Sequence, residues 1–148
     1  MNAEAENISN GFNVLIVDDE QKICNLIKVF LSMSPEFDKI VTANNSLQAI
    51  QKIQNQRFDL VIADFKMEGR TGIELIHQIA KAYQNNPIKY MLISGALQKE
   101  DVQLAINSGI KHIVVKPFSR NQLLSKVYEV MNITEPAGNH SKDESEDQ

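Results

Sequence analysis

Val14-Leu15-Ile16-Val17 followed by Asp18-Asp19 is the stretch on which the reading of this chain turns. Four consecutive apolar residues, three of them β-branched, leave no polar face, so they suit a strand covered on both sides, as in a parallel sheet. The two carboxylates end the run abruptly. After them the period lengthens. Ile23, Leu26, Ile27, Phe30 and Leu31 recur at helical spacing as far as Ser34-Pro35, where proline turns the preceding residue away from helix. A strand and an amphipathic helix thus form one unit, and the unit returns along the chain.

A second strand over 39–43 precedes a helix opened by Asn45 or Ser46, with Leu47, Ile50 and Ile53 on one face. Leu60-Val61-Ile62-Ala63 reads as the third strand. A loop with Gly69 and Gly72 leads from it to a helix carrying Ile73, Leu75, Ile76, Ile79 and Tyr83. Asn85-Asn86-Pro87 is a turn before the fourth strand, Tyr90-Met91-Leu92-Ile93. A shorter helix over 98–107 stops at Gly109, and Ile113-Val114-Val115 is the fifth strand. The last helix opens at Ser119, whose spacing to Gln122 matches a capping box, and its inner face carries Leu123, Leu124, Val127, Tyr128 and Met131. Five units in strict alternation predict an α/β fold: a five-stranded parallel sheet, doubly wound, with helices on both faces. Five are too few for an eight-stranded barrel. The expected organisation is a flexible segment over 1–12, a folded domain over 13–132 and an acidic disordered tail over 133–148. In that tail Pro136, Gly138, Asp143, Glu144, Glu146 and Asp147 replace the apolar periodicity.

Composition narrows the class. With 148 residues, 43% of them hydrophobic and 23% charged, the chain fits one globular domain. A domain of that size buries roughly two thirds of its unfolded surface, enough to fold without a disulfide or structural metal. The single Cys24 has no internal partner, which fits a reducing compartment, and its place on an amphipathic helix makes it a packing residue. A net charge of −4 argues against a broad electrostatic grip on nucleic acid. No apolar run has the length of a membrane span, and residues 1–10 lack the basic start and apolar core of a secretory signal. The expectation is a cytoplasmic protein that binds neither nucleic acid nor membrane.

The chemistry lies at the strand ends. Asp18 and Asp19 close the first strand, Asp64 the third, Ser94 the fourth and Lys116 the fifth. In a parallel sheet these carboxyl ends share one edge, where open α/β folds bind ligands. Two carboxylates about 4 Å apart repel by roughly 4 kcal/mol at an effective dielectric of about 20, so such a group raises its pKa values or recruits a cation. An all-oxygen, hard donor set suits Mg²⁺, which accepts phosphate oxygens as further ligands. Lys116 and Ser94 then face other oxygens of the same anion. Asp64, on the central strand, has the best claim to be a nucleophile, because a carboxylate can attack phosphorus where a metal and a cation spread the charge. Taken singly, each residue has a plainer role: an Asp caps the next helix, Ser94 before Gly95 serves a turn, Lys116 is solvated. Their convergence on one edge outweighs those readings. His77, His112 and His140 have no partner residues suited to hydrolytic catalysis.

On these residues the sequence resembles the receiver domains of bacterial two-component response regulators, in their single-domain, chemotaxis-regulator-like form, over 13–132. Val14 to Glu20 resembles the first strand with its acidic pair. Asp64-Phe65-Lys66-Met67 with Gly72-Ile73-Glu74-Leu75 resembles the phosphoacceptor segment, and Leu92-Ile93-Ser94-Gly95 the strand with the switch hydroxyl. Ser108-Gly109 with Val114-Val115-Lys116-Pro117-Phe118 is similar to the closing signature. The resemblance implies a flavodoxin-like fold and phosphorylation of Asp64. It implies Mg²⁺ bound by Asp19, Asp64 and the backbone carbonyl of Lys66, with Asp18 acting through water. Ser94 would move to bond the phosphoryl group, Lys116 would pair with it, and the Lys116-Pro117 bond would be cis. A sensor histidine kinase or histidine phosphotransfer protein would be the donor. A downstream protein would read the face of the fourth helix, fifth strand and fifth helix. No helix-turn-helix is expected after Asn132, and no turnover catalysis.

The sequence also departs from the family pattern. Glu68 stands where a Pro usually follows the Met, and Thr71 where an Asp often precedes the Gly. Ile113 occupies the switch position where many members carry an aromatic, and His112 beside it should face the other side of the strand. Lys66, two past the phosphoacceptor, sits where the resemblance places tuning of phosphoryl loss. Ile113 gives weight to an alternative, a receiver-fold interaction module not regulated by phosphorylation. A Mg²⁺-dependent phosphatase of the dehalogenase type fits less well, since Glu20 rather than Asp stands two past Asp18 and no sizeable cap segment follows.

Overall fold

The structure, a computed structural model, describes residues 11–95 and 98–134. The strand-helix alternation appears as β1 (Phe12–Val17), α1 (Gln21–Ser32), β2 (Phe37–Ala43), α2 (Ser46–Asn55), β3 (Leu60–Asp64), a small pair β4 (Lys66–Met67) and β5 (Arg70–Thr71), α3 (Gly72–Ala82), β6 (Lys89–Ser94), α4 (Lys99–Asn107), β7 (Ile113–Val115) and α5 (Arg120–Met131). The five longer strands are parallel in the order β2-β1-β3-β6-β7. The chain leaves β1 for β2 and returns past β1 to β3, which opens a crevice at the carboxyl ends of β1 and β3.

The apolar runs of the central strands β1, β3 and β6 have a plain cause: both faces of the sheet are covered there. Leu15, Val17, Val61, Ala63 and Leu92 pack with residues of α2, α3 and α4. Their alternate neighbours Val14, Ile16, Leu60, Ile62, Met91 and Ile93 pack with residues of α1 and α5. The period of two across each strand thus divides one sequence between two cores. Cys24 lies in the second of these, wholly buried, and burial pushes its thiol up to about 11. Among the described residues no helix is long and apolar enough to cross a membrane.

Several expectations need correction. Leu47 is 68% exposed, and Ala49 and Ile53 take the inward positions of α2, with Ile50 partly buried against the core. Leu47 precedes Ala49 by two residues, roughly 200° around the helix, so the two cannot share a face. The strand β1 already includes Phe12, whose N–H donates to the Glu36 carbonyl at 2.8 Å, so the flexible segment cannot extend to residue 12. At the other end Asn132 closes α5 in the left-handed region (φ 61°), and Ile133 bonds back to the Tyr128 carbonyl at 2.8 Å and packs on the core. The folded unit therefore runs one residue past the expected boundary. Residues 1–10 and 135–148, with the expected acidic tail, lie outside the described residues.

The segment after Asp64, expected to be a loop, is the antiparallel pair β4–β5, with Lys66 opposite Thr71 and Met67 opposite Arg70. Gly69, at φ 90°, makes the turn between them. Thr71 then opens α3 with a complete capping box: its hydroxyl accepts from the Glu74 N–H at 3.1 Å, and the Thr71 N–H donates to Glu74 Oε1 at 2.9 Å. The Ser119–Gln122 capping box is present as read, with bonds of 2.8 and 3.1 Å.

Gly72 ties this segment to the sheet. Its N–H donates to the Phe65 carbonyl at 2.8 Å, and a Cβ at this position would overlap the Asp64 carbonyl oxygen. Gly72→Ala should therefore lower stability by about 1–3 kcal/mol, the range for overpacking a tight contact. Urea denaturation measures it, and an unchanged midpoint would mean that β3 and α3 separate freely.

Candidate functional site

The carboxyl edge is built outward from β1. Asp18 is held by the sheet, its N–H donating to the Ala43 carbonyl at 3.1 Å, and it is 1% exposed. Its Oδ1 accepts from the Glu20 N–H at 2.9 Å. Its carbonyl accepts from Asn44 Nδ2 at 3.3 Å and from the Cys24 thiol at 3.4 Å. Asp19, the next residue, is exposed and accepts from the Glu68 N–H at 3.4 Å. So Glu68, in place of the family's usual Pro, contributes a backbone donor that proline lacks. Asp64 ends the central strand β3 and is buried. The following N–H, of Phe65, donates to the Ile93 carbonyl at 2.7 Å. Ser94 ends β6 and is buried, and its carbonyl accepts from the Lys116 N–H at 2.7 Å. The Lys116-Pro117 bond is cis.

All five strand-end residues read from the sequence thus lie on one edge. One oxygen each of Asp18, Asp19 and Asp64 fall within 4.8 Å of one another. The Lys116 ammonium sits among carboxylates, 3.2 Å from Asp18 Oδ2, 3.5 Å from Asp64 Oδ1 and 3.1 Å from Glu20 Oε1. Sequence reasoning missed this last contact. Glu20 is 96 positions from Lys116, and only its place beside the acidic pair hinted at a share in the site.

Electrostatics follows from this crowding. Burial, then the Asp18 charge, pushes the Asp64 carboxyl up to about 6, against the pull of Lys116. Asp18 is raised as well, chiefly by burial, with the Glu20 N–H and Lys116 offsetting part of the shift. Burial works against the Lys116 ammonium, but Asp18 and Asp64 outweigh it and hold its pKa above the ordinary lysine value. Asp18 Oδ2 is buried without a hydrogen bond, with the Lys116 ammonium at ion-pair distance, 3.2 Å. An orphaned carboxylate oxygen, a hard all-oxygen donor set and more carboxylates than cations together fit Mg²⁺.

At the start of β7, the alternation separates His112 and Ile113 as expected. Ile113 pairs in register with Leu92 and packs on the core beneath α3 and α4. His112 Nδ1 lies 3.8 Å from Glu129 Oε2 of α5 and is buried without a hydrogen bond. Burial lowers the His112 pKa, with Glu129 acting the other way. The face expected to meet a downstream protein carries exposed Leu104 and Ile106 on α4 and Val115 on β7. A groove of about 500 Å³ runs between β7 and α5, lined by Ile113, Val115, Pro117, Gln122 and Lys126 among others.

The chain belongs to the response regulator receiver domain family, whose profile matches residues 14–128. It is 26% identical over 125 residues to chemotaxis protein CheY-3 of Vibrio cholerae, covering 82% of this chain and 95% of that one. It is 28% identical over 126 residues to the phosphate regulon transcriptional regulatory protein PhoB of Pseudomonas aeruginosa, covering 85% of this chain and 54% of that one. The chain spans 32% to 54% of the length of four transcriptional regulators it is similar to. Among solved structures, a CheY-like receiver domain from Methanospirillum hungatei superposes with a TM-score of 0.73 at 25% identity, over 82% of this chain and 94% of that one.

The strained carboxylate makes a measurable prediction. With a native pKa of about 6 against 3.8 for the ordinary carboxyl, the folded state binds the proton more tightly, so ionisation of Asp64 penalises the fold above pH 6. That penalty fades as the pH falls from about 6 towards 3.8. In metal-free buffer, Asp64→Asn should be more stable than wild type by on the order of 1–3 kcal/mol at pH 7.5. The gain should shrink through the same window. Urea melts across pH 4–8 in chelator measure it, and a pH-independent difference would contradict the account.

Proposed function

We propose that this receiver domain is a phosphorylation-driven switch in which Asp64 accepts a phosphoryl group from a sensor histidine kinase or a histidine phosphotransfer protein. One observation carries the reading. The Asp64 carboxylate ends the central strand with the Lys116 ammonium 3.5 Å away and oxygens of Asp18 and Asp19 within 4.8 Å. With its pKa about 6, Asp64 is ionised at neutral pH and nucleophilic. An Asp64 oxygen attacks phosphorus as the P–N bond to the donor imidazole breaks, and the ring nitrogen keeps the electron pair and takes up a proton. Lys116 balances charge on the transferred group, and Ser94 donates its hydroxyl to another of its oxygens. Mg²⁺, when bound, neutralises the developing charge. Asp19, Asp64 and the backbone carbonyl of Lys66 would hold it directly, and Asp18 through water.

The switch then has a path outward. Lys116 and Ser94 are joined backbone to backbone across β7 and β6, so a new bond to either side chain acts on both strands. We place the readout on the surface of α4, β7 and α5, where Leu104, Ile106 and Val115 are exposed. A downstream protein is the partner, the compartment is the cytoplasm, and neither nucleic acid nor membrane takes part. Asp64 is modified and regenerated rather than turning over a substrate, so the domain is a signalling device and not an enzyme. A second reading has one observation in its favour. Ile113 is packed on the core, has no aromatic ring to swing inward, and suits an interaction module that phosphorylation does not regulate.

Intact mass after incubation with Mg²⁺ and acetyl phosphate separates the two. The switch gains one phosphoryl group, and Asp64→Asn or metal chelation abolishes the gain. No gain from acetyl phosphate, together with no binding of Mg²⁺ or beryllofluoride, leaves the interaction module. Lys66, exposed two residues past Asp64, should tune the lifetime of the modified state: Lys66→Ala should alter the rate of phosphoryl loss by at least about two-fold. An unchanged rate removes Lys66 from that role.

A further inference from the structure

Lys116 makes its shortest carboxylate contact with a residue that the strand-end pattern did not include. Glu20 Oε1 lies 3.1 Å from the ammonium, closer than Asp18 at 3.2 Å or Asp64 at 3.5 Å. Glu20 is the N-cap residue of α1, yet its side chain makes no capping bond. Its backbone carbonyl accepts the first bonds of the helix, from the N–H groups of Ile23 and Cys24 at 3.0 and 3.2 Å. The side chain is spared for Lys116.

We propose that Glu20 is a positioning residue that holds the Lys116 ammonium over the acidic site and yields it to an anion arriving at Asp64. The inference rests on the switch reading above. An ammonium has three donors, and here three carboxylates surround it. Its hydrogen bond goes to Glu20 Oε1, while Asp18 and Asp64 stand at ion-pair distance, so an anion that draws the ammonium towards Asp64 competes with one of these carboxylates for it. Asp18 is 1% exposed and would be left as an uncompensated buried charge, a costly outcome. Asp64 is the group that receives the anion. The Glu20 side chain is 63% exposed, and water takes over a carboxylate there at little cost, since exposed ion pairs are weak. Glu20 is thus the partner that exchanges. Its charge has a second effect: it adds to the negative potential at Asp18, which favours Mg²⁺.

The two effects pull in opposite directions when Glu20 is neutralised. At saturating Mg²⁺, Glu20→Gln should bind beryllofluoride about two- to five-fold more tightly than wild type, because Lys116 is no longer contested. The same variant should bind Mg²⁺ alone about two-fold more weakly at low ionic strength, because one carboxylate is gone. Glu20→Asp keeps the charge but is one methylene too short for the contact, so it should match Glu20→Gln for beryllofluoride and wild type for Mg²⁺. A merely structural role for Glu20 would move both affinities the same way. Equal or weaker beryllofluoride binding by Glu20→Gln, with wild type binding normally, overturns the role of Glu20 alone. A wild type that binds neither Mg²⁺ nor beryllofluoride overturns the switch reading and this inference with it.

Discussion

One ammonium among four carboxylates is the constraint around which this molecule is arranged. Lys116 is within 3.5 Å of Asp18, Glu20 and Asp64, and Asp19 joins Asp18 and Asp64 in the same cluster. Coulomb repulsion among such groups is several kcal/mol at the dielectric of a protein edge, and a single lysine cannot cancel it. The protein tolerates the arrangement because the surrounding backbone is fixed. Asp18 is tied to β2 through Ala43, Phe65 to β6 through Ile93, and Lys116 to Ser94. What remains is a site with a buried carboxylate oxygen lacking a hydrogen bond and a carboxyl raised to about 6, a hard all-oxygen donor set that fits a divalent cation.

The fold serves that site in a direct way. Two faces covered by helices force residues 14–17 of β1 and 60–63 of β3 to be apolar, so carboxylates follow only where those runs end. Parallel pairing then places those ends together. Gly72, lying against the Asp64 carbonyl, and the β4–β5 pair hold the segment after Asp64 close to the sheet. The capping box of Thr71 and Glu74 fixes where α3 starts.

Much of this was legible in the sequence, because burial on both faces writes itself plainly into strands such as Leu60-Val61-Ile62-Ala63. The positions of Asp18, Asp64, Ser94 and Lys116 followed from the topology that such strands imply. What the sequence concealed has a common physical origin in contacts that no periodicity records. Leu47 is apolar and helical, yet it lies on the far side of α2 from Ala49. The β4–β5 pair is two residues per strand, too short for any alternation to show. Glu20 reaches Lys116 only because α1 starts where it does and because the fifth strand delivers Lys116 to the same edge. A long side chain spanning distant segments leaves no mark in local pattern. Ile113, the non-aromatic residue at the position where the resemblance expects a switch, is packed on the core.

The most direct test of the account is a crystal structure of the full chain grown with Mg²⁺ and beryllofluoride. The account predicts beryllium bonded to an Asp64 carboxylate oxygen, with Lys116 Nζ and Ser94 Oγ on fluorine. It also predicts Mg²⁺ held by Asp19, Asp64 and the Lys66 carbonyl, with Asp18 behind a water. A structure in which Asp64 still faces Lys116 with nothing bound between them, or in which metal and fluoride lie elsewhere, would contradict it.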